Sequence, residues 1–113
     1  TRVSKLANNS NLSRDIFSTH DYVETKLFEK DCELKVFEFI RELEKLFSVG
    51  YCNYLELLNL FESNIKTIED LFDNEKGVLI MSEDLELRKN RLNLLSLIRN
   101  YSLKIADFTL FNS

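Results

Sequence analysis

Apolar residues recur three and four positions apart along most of this chain, the spacing of one face of an α-helix. The pattern is clearest from Cys32 to Phe47, where charged residues occupy the opposite positions. It stops before Gly50, a residue type common just after a helix C-terminus. We therefore predict an amphipathic helix over residues 32–47. Its apolar stripe consists of Val36, Phe37, Ile40, Leu43 and Phe47.

The same periodicity predicts further helices on both sides of this segment. One helix is expected to start near Thr19, another to run from about Tyr51 to Glu62, and a short one to follow it. Ser82 precedes the longest periodic stretch and has a side chain suited to a helix N-cap. A break near Asn100 would divide that stretch into two helices. Residues 74–81 lack a helical period and are interpreted as a buried connector.

The composition strengthens the helical prediction. The chain has no proline and two glycines among 113 residues, and these two residue types are the strongest helix breakers. The length suits one domain. We predict an all-α fold, a compact bundle of five to six helices. Residues 1–18 are expected to form a flexible N-terminal arm, residues 19–108 the helical domain and residues 109–113 a C-terminal tail.

Charge and side-chain chemistry argue against several functions. A net charge of −4 disfavours nucleic-acid binding, which depends on a basic surface. His20 is the one histidine and has no metal-ligand spacing around it, so no metal or cofactor is expected. Cys32 and Cys52 are expected to be free thiols, as in an intracellular protein. No catalytic constellation is visible and no apolar run is long enough to span a bilayer, so we predict neither an enzyme nor a membrane protein.

Two clusters of opposite charge are candidate partner-binding surfaces. Arg88, Arg91 and Arg99 would form a basic face, and Glu38 and Glu42 an acidic one. Opposed charged faces allow a domain to pair with a partner or with itself. Exposed aromatic residues near the C-terminus would add an apolar contact, and the candidates are Phe108 and Phe111.

Three segments are similar to known helical interaction families. The stretch Leu94–Leu103, followed by Asp107 and Phe108, resembles the end of a death-effector domain. That resemblance implies a six-helix death fold used for homotypic assembly in signalling. Ile68–Leu71 resembles a sterile alpha motif, and Leu55–Phe61 resembles the second helix of a paired amphipathic helix domain. All three families are non-catalytic interaction modules.

The preferred hypothesis is a non-catalytic adaptor or scaffold that pairs charged helix faces with other proteins. The second hypothesis is a groove that receives an amphipathic peptide helix among Phe37, Leu58 and Phe61. The third is a small helical enzyme or a nucleic-acid-associated subunit. Charge pairing would be sensitive to salt, whereas groove binding would depend on the phenylalanines.

Overall fold

The computed structural model describes residues 12–13, 15, 17–48, 54–73 and 77–112, except the side chains of Tyr54 and of residues 106–112. Within these ranges the regular structure is entirely helical, which confirms the predicted all-α class. Four α-helices and one short 3₁₀ helix are present in the described part of the chain. The α-helices are α1 (Asp31–Ser48), α2 (Tyr54–Ser63), α3 (Ile65–Leu71) and α4 (Leu85–Asn112), and the 3₁₀ helix covers Thr25–Leu27.

The described helices are fewer than the five to six predicted, for two reasons. The segment after Thr19 forms a tight turn and then the 3₁₀ helix, because much of its backbone bonds to side chains of α4 instead of to itself. No break occurs near Asn100, and α4 continues through residue 112 as one helix. It therefore crosses the boundary predicted between the domain and the tail at residue 108.

Helix α1 starts where its sequence satisfies the exposed amides of a helix N-terminus. The carboxylate of Glu33 accepts hydrogen bonds from the backbone N–H groups of Glu29 and Lys30, at 2.9 and 3.2 Å. A glutamate that reaches back from the first turn in this way is half of a capping box. Of the predicted apolar stripe, Val36, Ile40 and Leu43 are buried, whereas the two phenylalanines are half-buried.

Helix α4 is the central element of the fold. Every residue from 90 to 101 is buried, so this stretch is enclosed on all sides. It packs against α1, α2 and the 3₁₀ helix. Its apolar side chains join a single core with those of the other helices. That core includes Val36, Phe39, Ile40, Leu43, Leu57, Leu71, Ile80, Leu94, Leu95, Leu97 and Ile98.

The structure departs from the sequence pattern at two leucines and at the start of α4. Not every leucine of the periodic stretches is buried, since Leu55 and Leu85 are 65% and 66% exposed. In α2 it is Leu57 that is fully buried. The start of α4 is capped by Asp84 and not by Ser82, because the Asp84 carboxylate accepts from the N–H groups of Glu86 and Leu87.

The connector between α3 and α4 is only partly buried. Of the predicted segment, residues 74–76 lie outside the described residues, while Ile80 is buried and Leu79 is exposed. Gly77 lies so close to the C-terminal end of α3 that a Cβ atom would collide with the carbonyl oxygens of Leu71 and Asp73. This close approach requires glycine. Among the described residues, no helix is long and apolar enough to cross a membrane.

Candidate functional site

An irregular segment lies along α4 and is held there by hydrogen bonds to its backbone. We call the described residues between Leu12 and Glu24 the strap. Leu12 and Thr19 are buried. Leu12 belongs to the predicted flexible arm, so part of that arm contacts the helical body; the division of the chain into arm, domain and tail stays a prediction. Leu12 to Phe17 bind α4 at its residues 99 to 101, and Tyr22 and Glu24 bind it nearer its start, at residues 93 and 90.

The lower part of the strap, its described residues from Leu12 to Phe17, is held by side chains near the middle of α4. Asn100 donates to the carbonyl of Ser13 at 3.1 Å. The Tyr101 hydroxyl donates to the carbonyl of Phe17 at 2.5 Å. The ring of Phe17 also meets that of Tyr101 edge to face, with centroids 5.2 Å apart.

The upper part of the strap, Thr19 to Glu24, is held by two asparagines of α4. The Asn90 side chain accepts from the N–H of Glu24 at 2.7 Å and donates to the carbonyl of the same residue at 3.0 Å. Asn93 donates to the carbonyl of Tyr22 at 2.8 Å. Both asparagines are buried, where an amide that lost its partners would be costly.

A cleft of about 1080 Å³ lies between the upper strap and the first turns of α4, slightly larger than most small-molecule sites. Thr19 to Glu24 line one side and residues of α4 from Leu85 to Asn93 line the other. Phe37 and Arg41 of α1 also line it. The cleft is therefore built from three separate parts of the chain.

The turn that presents Tyr22 to this cleft has an unusual backbone conformation. Asp21 has a φ of 67°, in the left-handed region that aspartate and asparagine tolerate better than most residues. The Thr19 N–H donates to the Glu44 carboxylate of α1 at 2.5 Å. His20 and Tyr22 project outward, and Tyr22 is 38% exposed. The turn thus places an aromatic ring at the surface beside the cleft.

The cleft has charged groups of both signs. Arg88 and Lys89 come from the first turns of α4, and among the described residues neither forms an ion pair. Arg41 contributes a third cation, although it lies 3.4 Å from Glu44. The acidic residues that line the cleft are Asp21, Glu24 and Glu86.

The structure separates the three arginines of the predicted basic face. Arg88 lines the cleft, but Arg91 and Arg99 are buried, at 3% and 5% exposure. They cannot present an exposed basic surface together, because each is used inside the protein. Arg99 donates to the carbonyl of Leu12 at 3.2 Å.

Arg91 connects three segments from the interior. It donates to the carbonyl of Leu79 at 2.7 Å and to the Glu29 carboxylate at 2.6 Å. Its Nε lies 3.6 Å from the Glu33 carboxylate, and Glu33 is fully buried. The positive charge therefore compensates a buried negative charge.

The remaining predicted partner residues are not brought together with Arg88. Glu38 and Glu42 are exposed on α1, and their role in partner binding stays a prediction. Phe108 and Phe111 belong to the last turns of α4, but their side chains lie outside the described residues. The phenylalanines of the predicted peptide groove are occupied by internal packing: Phe37 meets Phe28, and Phe61 meets Phe39, both edge to face.

The described residues offer little for covalent chemistry. Among them, no group of three or more histidines, cysteines or carboxylates is placed to bind a metal. Cys32 is buried, and burial followed by the neighbouring Glu33 raises the pKa of its thiol. A raised pKa disfavours the thiolate, so Cys32 is a poor nucleophile.

Sequence reasoning missed Tyr22, Asn90 and Asn93. A signal was present, since Asn90, Asn93 and Asn100 are spaced by three and seven within a leucine-rich helix, which places them on one face. The partners of that face are 66 to 87 residues away along the chain. Local pattern does not reveal contacts at such separations.

Comparison with known proteins gives one consistent similarity. The chain is similar to part of the glycine–tRNA ligase beta subunit. It is 35% identical over 109 residues to the subunit of Picosynechococcus, covering 95% of this chain and 15% of the relative. It is 42% identical over 82 residues to that of Persephonella marina and 35% identical over 92 residues to that of Vibrio parahaemolyticus. No family model and no solved structure matches the chain.

These relatives overturn the resemblances drawn from the sequence. The matched proteins are tRNA ligase subunits, so the assignment to death-effector or sterile alpha motif domains was wrong. The adaptor and signalling function inferred from it was also wrong. The physical reason is that leucine-rich amphipathic helices share one periodicity whatever their ancestry. The prediction that the chain is not an enzyme is corrected too, because the relatives are enzyme subunits, of which this chain spans about 15%.

Proposed function

We propose that this chain is a helical part of a glycine–tRNA ligase beta subunit and that it contacts tRNA through the cleft between the strap and α4. The observation that carries the assignment is the 31–35% identity to such subunits along 95% of the chain. The role in charging tRNA follows from the name of those relatives. An intracellular location, expected from the cysteines, agrees with it.

The chemistry of the cleft supports contact with RNA. Arginine and lysine neutralise phosphates, and an exposed aromatic ring can stack on an unpaired base. Arg88 and Lys89 provide the charges on one side of the cleft, and Tyr22 provides the ring beside the other. The net charge of −4 does not oppose this, because binding depends on the local field.

The acidic residues of the cleft limit the affinity. Asp21, Glu24 and Glu86 line the same cleft and repel a continuous phosphate backbone. We therefore expect a short contact of one or two phosphates and one base, within a larger tRNA surface provided by the rest of the subunit. For single strands the logarithm of affinity falls with that of salt by about 0.7 per neutralised phosphate, so the salt dependence of this contact should be shallow.

The test measures binding of a transcribed glycine tRNA to the 113-residue chain. Since the chain has no tryptophan, Tyr22→Trp introduces a single fluorescent reporter beside the cleft. We expect tRNA to quench this tryptophan by stacking. Reversing both charges, as Arg88→Glu with Lys89→Glu, should weaken binding at least about tenfold, since two phosphate contacts are lost.

The matched control reverses two exposed lysines outside the cleft, Lys35→Glu with Lys66→Glu. It changes the net charge by the same amount without touching the cleft. Circular dichroism checks that both double variants stay helical. Absence of binding to the wild-type chain, or equal weakening by the two double variants, would rule out the cleft as the tRNA contact.

A further inference from the structure

The turn that carries Tyr22 is only partly supported by its own hydrogen bonds. The N–H groups of Tyr22 and Val23 both donate to the carbonyl of Thr19, at 3.3 and 3.1 Å. One such turn, with Asp21 in the left-handed region, is a weak unit by itself, since a single turn of hydrogen bonds does not compensate the entropy lost in ordering it. Its conformation must therefore depend on what it packs against.

Asn90 supplies a large part of that support. Its amide engages both the N–H and the carbonyl of Glu24, the same two groups that one strand of a sheet would engage on its neighbour. A carboxamide is suited to this because it donates and accepts at once. Aspartate could only accept, and leucine could do neither.

Asn93 holds the residue that presents the ring. It donates to the carbonyl of Tyr22, one helical turn after Asn90 on the same face of α4. Both asparagines also line the cleft. The same two side chains thus form part of the α4 side of the cleft and hold the strap side in place.

We propose that Asn90 and Asn93 are positioning residues of the cleft, which hold the Thr19–Glu24 turn so that Tyr22 is placed to stack on RNA. This inference rests on the proposed function. Docking of the turn and RNA binding are then coupled, because RNA binds the docked turn better than the open one. The two asparagines set the fraction of molecules in which the cleft is formed.

The first arm of the test needs no RNA. Amide hydrogen exchange of Val23 and Glu24 is measured by NMR in the wild-type chain, in Asn90→Ala and in the isosteric Asn93→Asp. Loss of one or two net hydrogen bonds should speed exchange of these amides on the order of tenfold. Amides of Leu94 to Ile98 should exchange as in the wild type. Unchanged exchange in the turn, or equal acceleration of the core amides, would overturn the proposal.

The second arm measures the coupling in the Tyr22→Trp background. Asn90→Ala and Asn93→Asp should each weaken binding of the glycine tRNA transcript on the order of tenfold, by the fraction of docked turn lost. At saturating tRNA the tryptophan emission should equal that of the parent, because the bound state is the same. A purely structural defect would alter that final emission. The matched control is Asn59→Ala, at an exposed asparagine of α2, which should change neither quantity.

The outcomes separate the two proposals. If the wild-type chain binds no tRNA, the proposed function fails, whatever the exchange rates of the turn. If the wild-type chain binds and the two asparagine variants bind equally well despite a faster-exchanging turn, the cleft contacts RNA but the asparagines do not position it. If the variants lose affinity and recover the parent emission at saturation, the positioning role is supported.

Discussion

Helix α4 buries two kinds of side chain, and they hold the protein together in different ways. Its buried leucines and isoleucines join the common core with residues of α1, α2 and α3. Three of its asparagines and Tyr101 instead bind backbone N–H and carbonyl groups of the strap, the asparagines being Asn90, Asn93 and Asn100. Apolar burial is non-directional and tolerates exchange of similar shapes. Polar burial requires one partner at one distance, because an unpartnered buried group is destabilising.

The comparison shows why the same helix could be read correctly on one face and incorrectly on another. Leucine side chains are apolar and are usually buried, so their position can be predicted from the sequence. An asparagine or arginine looks like a surface residue until its partner is known. The described residues of the strap form no regular helix. The strap covers the polar face of α4 and so buries its asparagines.

The largest effect is expected at the buried ion pair, where a charge and its partner are both enclosed. Arg91→Met would leave the fully buried Glu33 carboxylate without its cation. Breaking one side of a buried pair destabilises by about 3–5 kcal/mol. Urea denaturation gives the free energy of unfolding. Adding Glu33→Gln to Arg91→Met should recover most of the loss, because the glutamine oxygen can still accept from Glu29 and Lys30.

The prediction for this pair has a clear contrary result. A loss of at most ~1 kcal/mol for Arg91→Met, the size typical of exposed ion pairs, would mean that water reaches Glu33. The ion pair would then behave like one at the protein surface, and the buried polar side chains of α4 would no longer differ from exposed ones in their need for a partner.

The comparison is sharpened by swapping similar volumes on each face. Leu97→Met, at a fully buried core position, should cost less than about 1.5 kcal/mol. Asn100→Leu removes the donor to the Ser13 carbonyl and the acceptor of the Arg99 Nε–H. Arg99 is buried, and a buried donor that loses its acceptor costs about 1–3 kcal/mol, so this swap should cost clearly more. Thermal and urea unfolding give the loss of stability in each variant. Equal losses would show that the buried polar groups of α4 do not depend on their specific hydrogen-bond partners.

The smallest effect is expected at high pH. Burial, and then the nearby Glu44, raise the pKa of Tyr101 well above its ordinary value near 10. Above pH ~10 the unfolded chain ionises this phenol, whereas the folded chain keeps it protonated. The free energy of unfolding therefore falls as pH rises, by up to about 1.4 kcal/mol per pH unit. The raised pKa of Cys32 acts in the same direction from its ordinary value of 9.0, so the measurement is made in a Cys32→Ala background.

The control for the alkaline loss is a comparison of two tyrosines. Tyr101→Phe removes the hydrogen bond to Phe17 and should cost about 0.5–1.5 kcal/mol at neutral pH, but it should flatten the decline above pH ~10. The exposed Tyr22→Phe should leave the decline unchanged. An equally steep decline with Tyr101→Phe would mean that other groups cause it.

Much of the helical architecture was predictable from local pattern, and the candidate site was not. The helix of residues 32–47 was predicted within one residue at each end, since its apolar stripe and acidic start are local features. The cleft depends on Asp21 in a left-handed turn and on contacts between residues 66 or more apart. Of the residues that line it, Arg88 was predicted as part of a basic face whose other two arginines are buried, and Phe37 as part of a peptide groove.

The amino-acid sequence by itself determined the helical class and the positions of the main apolar stripes. It did so because breakers are nearly absent and because apolar residues follow a period that depends only on neighbours along the chain. Tertiary structure alone decided that Asn90, Asn93, Arg91 and Arg99 face inward. The reason is physical: a polar side chain is buried only where a distant group satisfies its hydrogen bonds or its charge. For the two asparagines and Arg99 that partner is brought near when the strap docks on α4, and for Arg91 when Leu79 and the start of α1 pack against the helix.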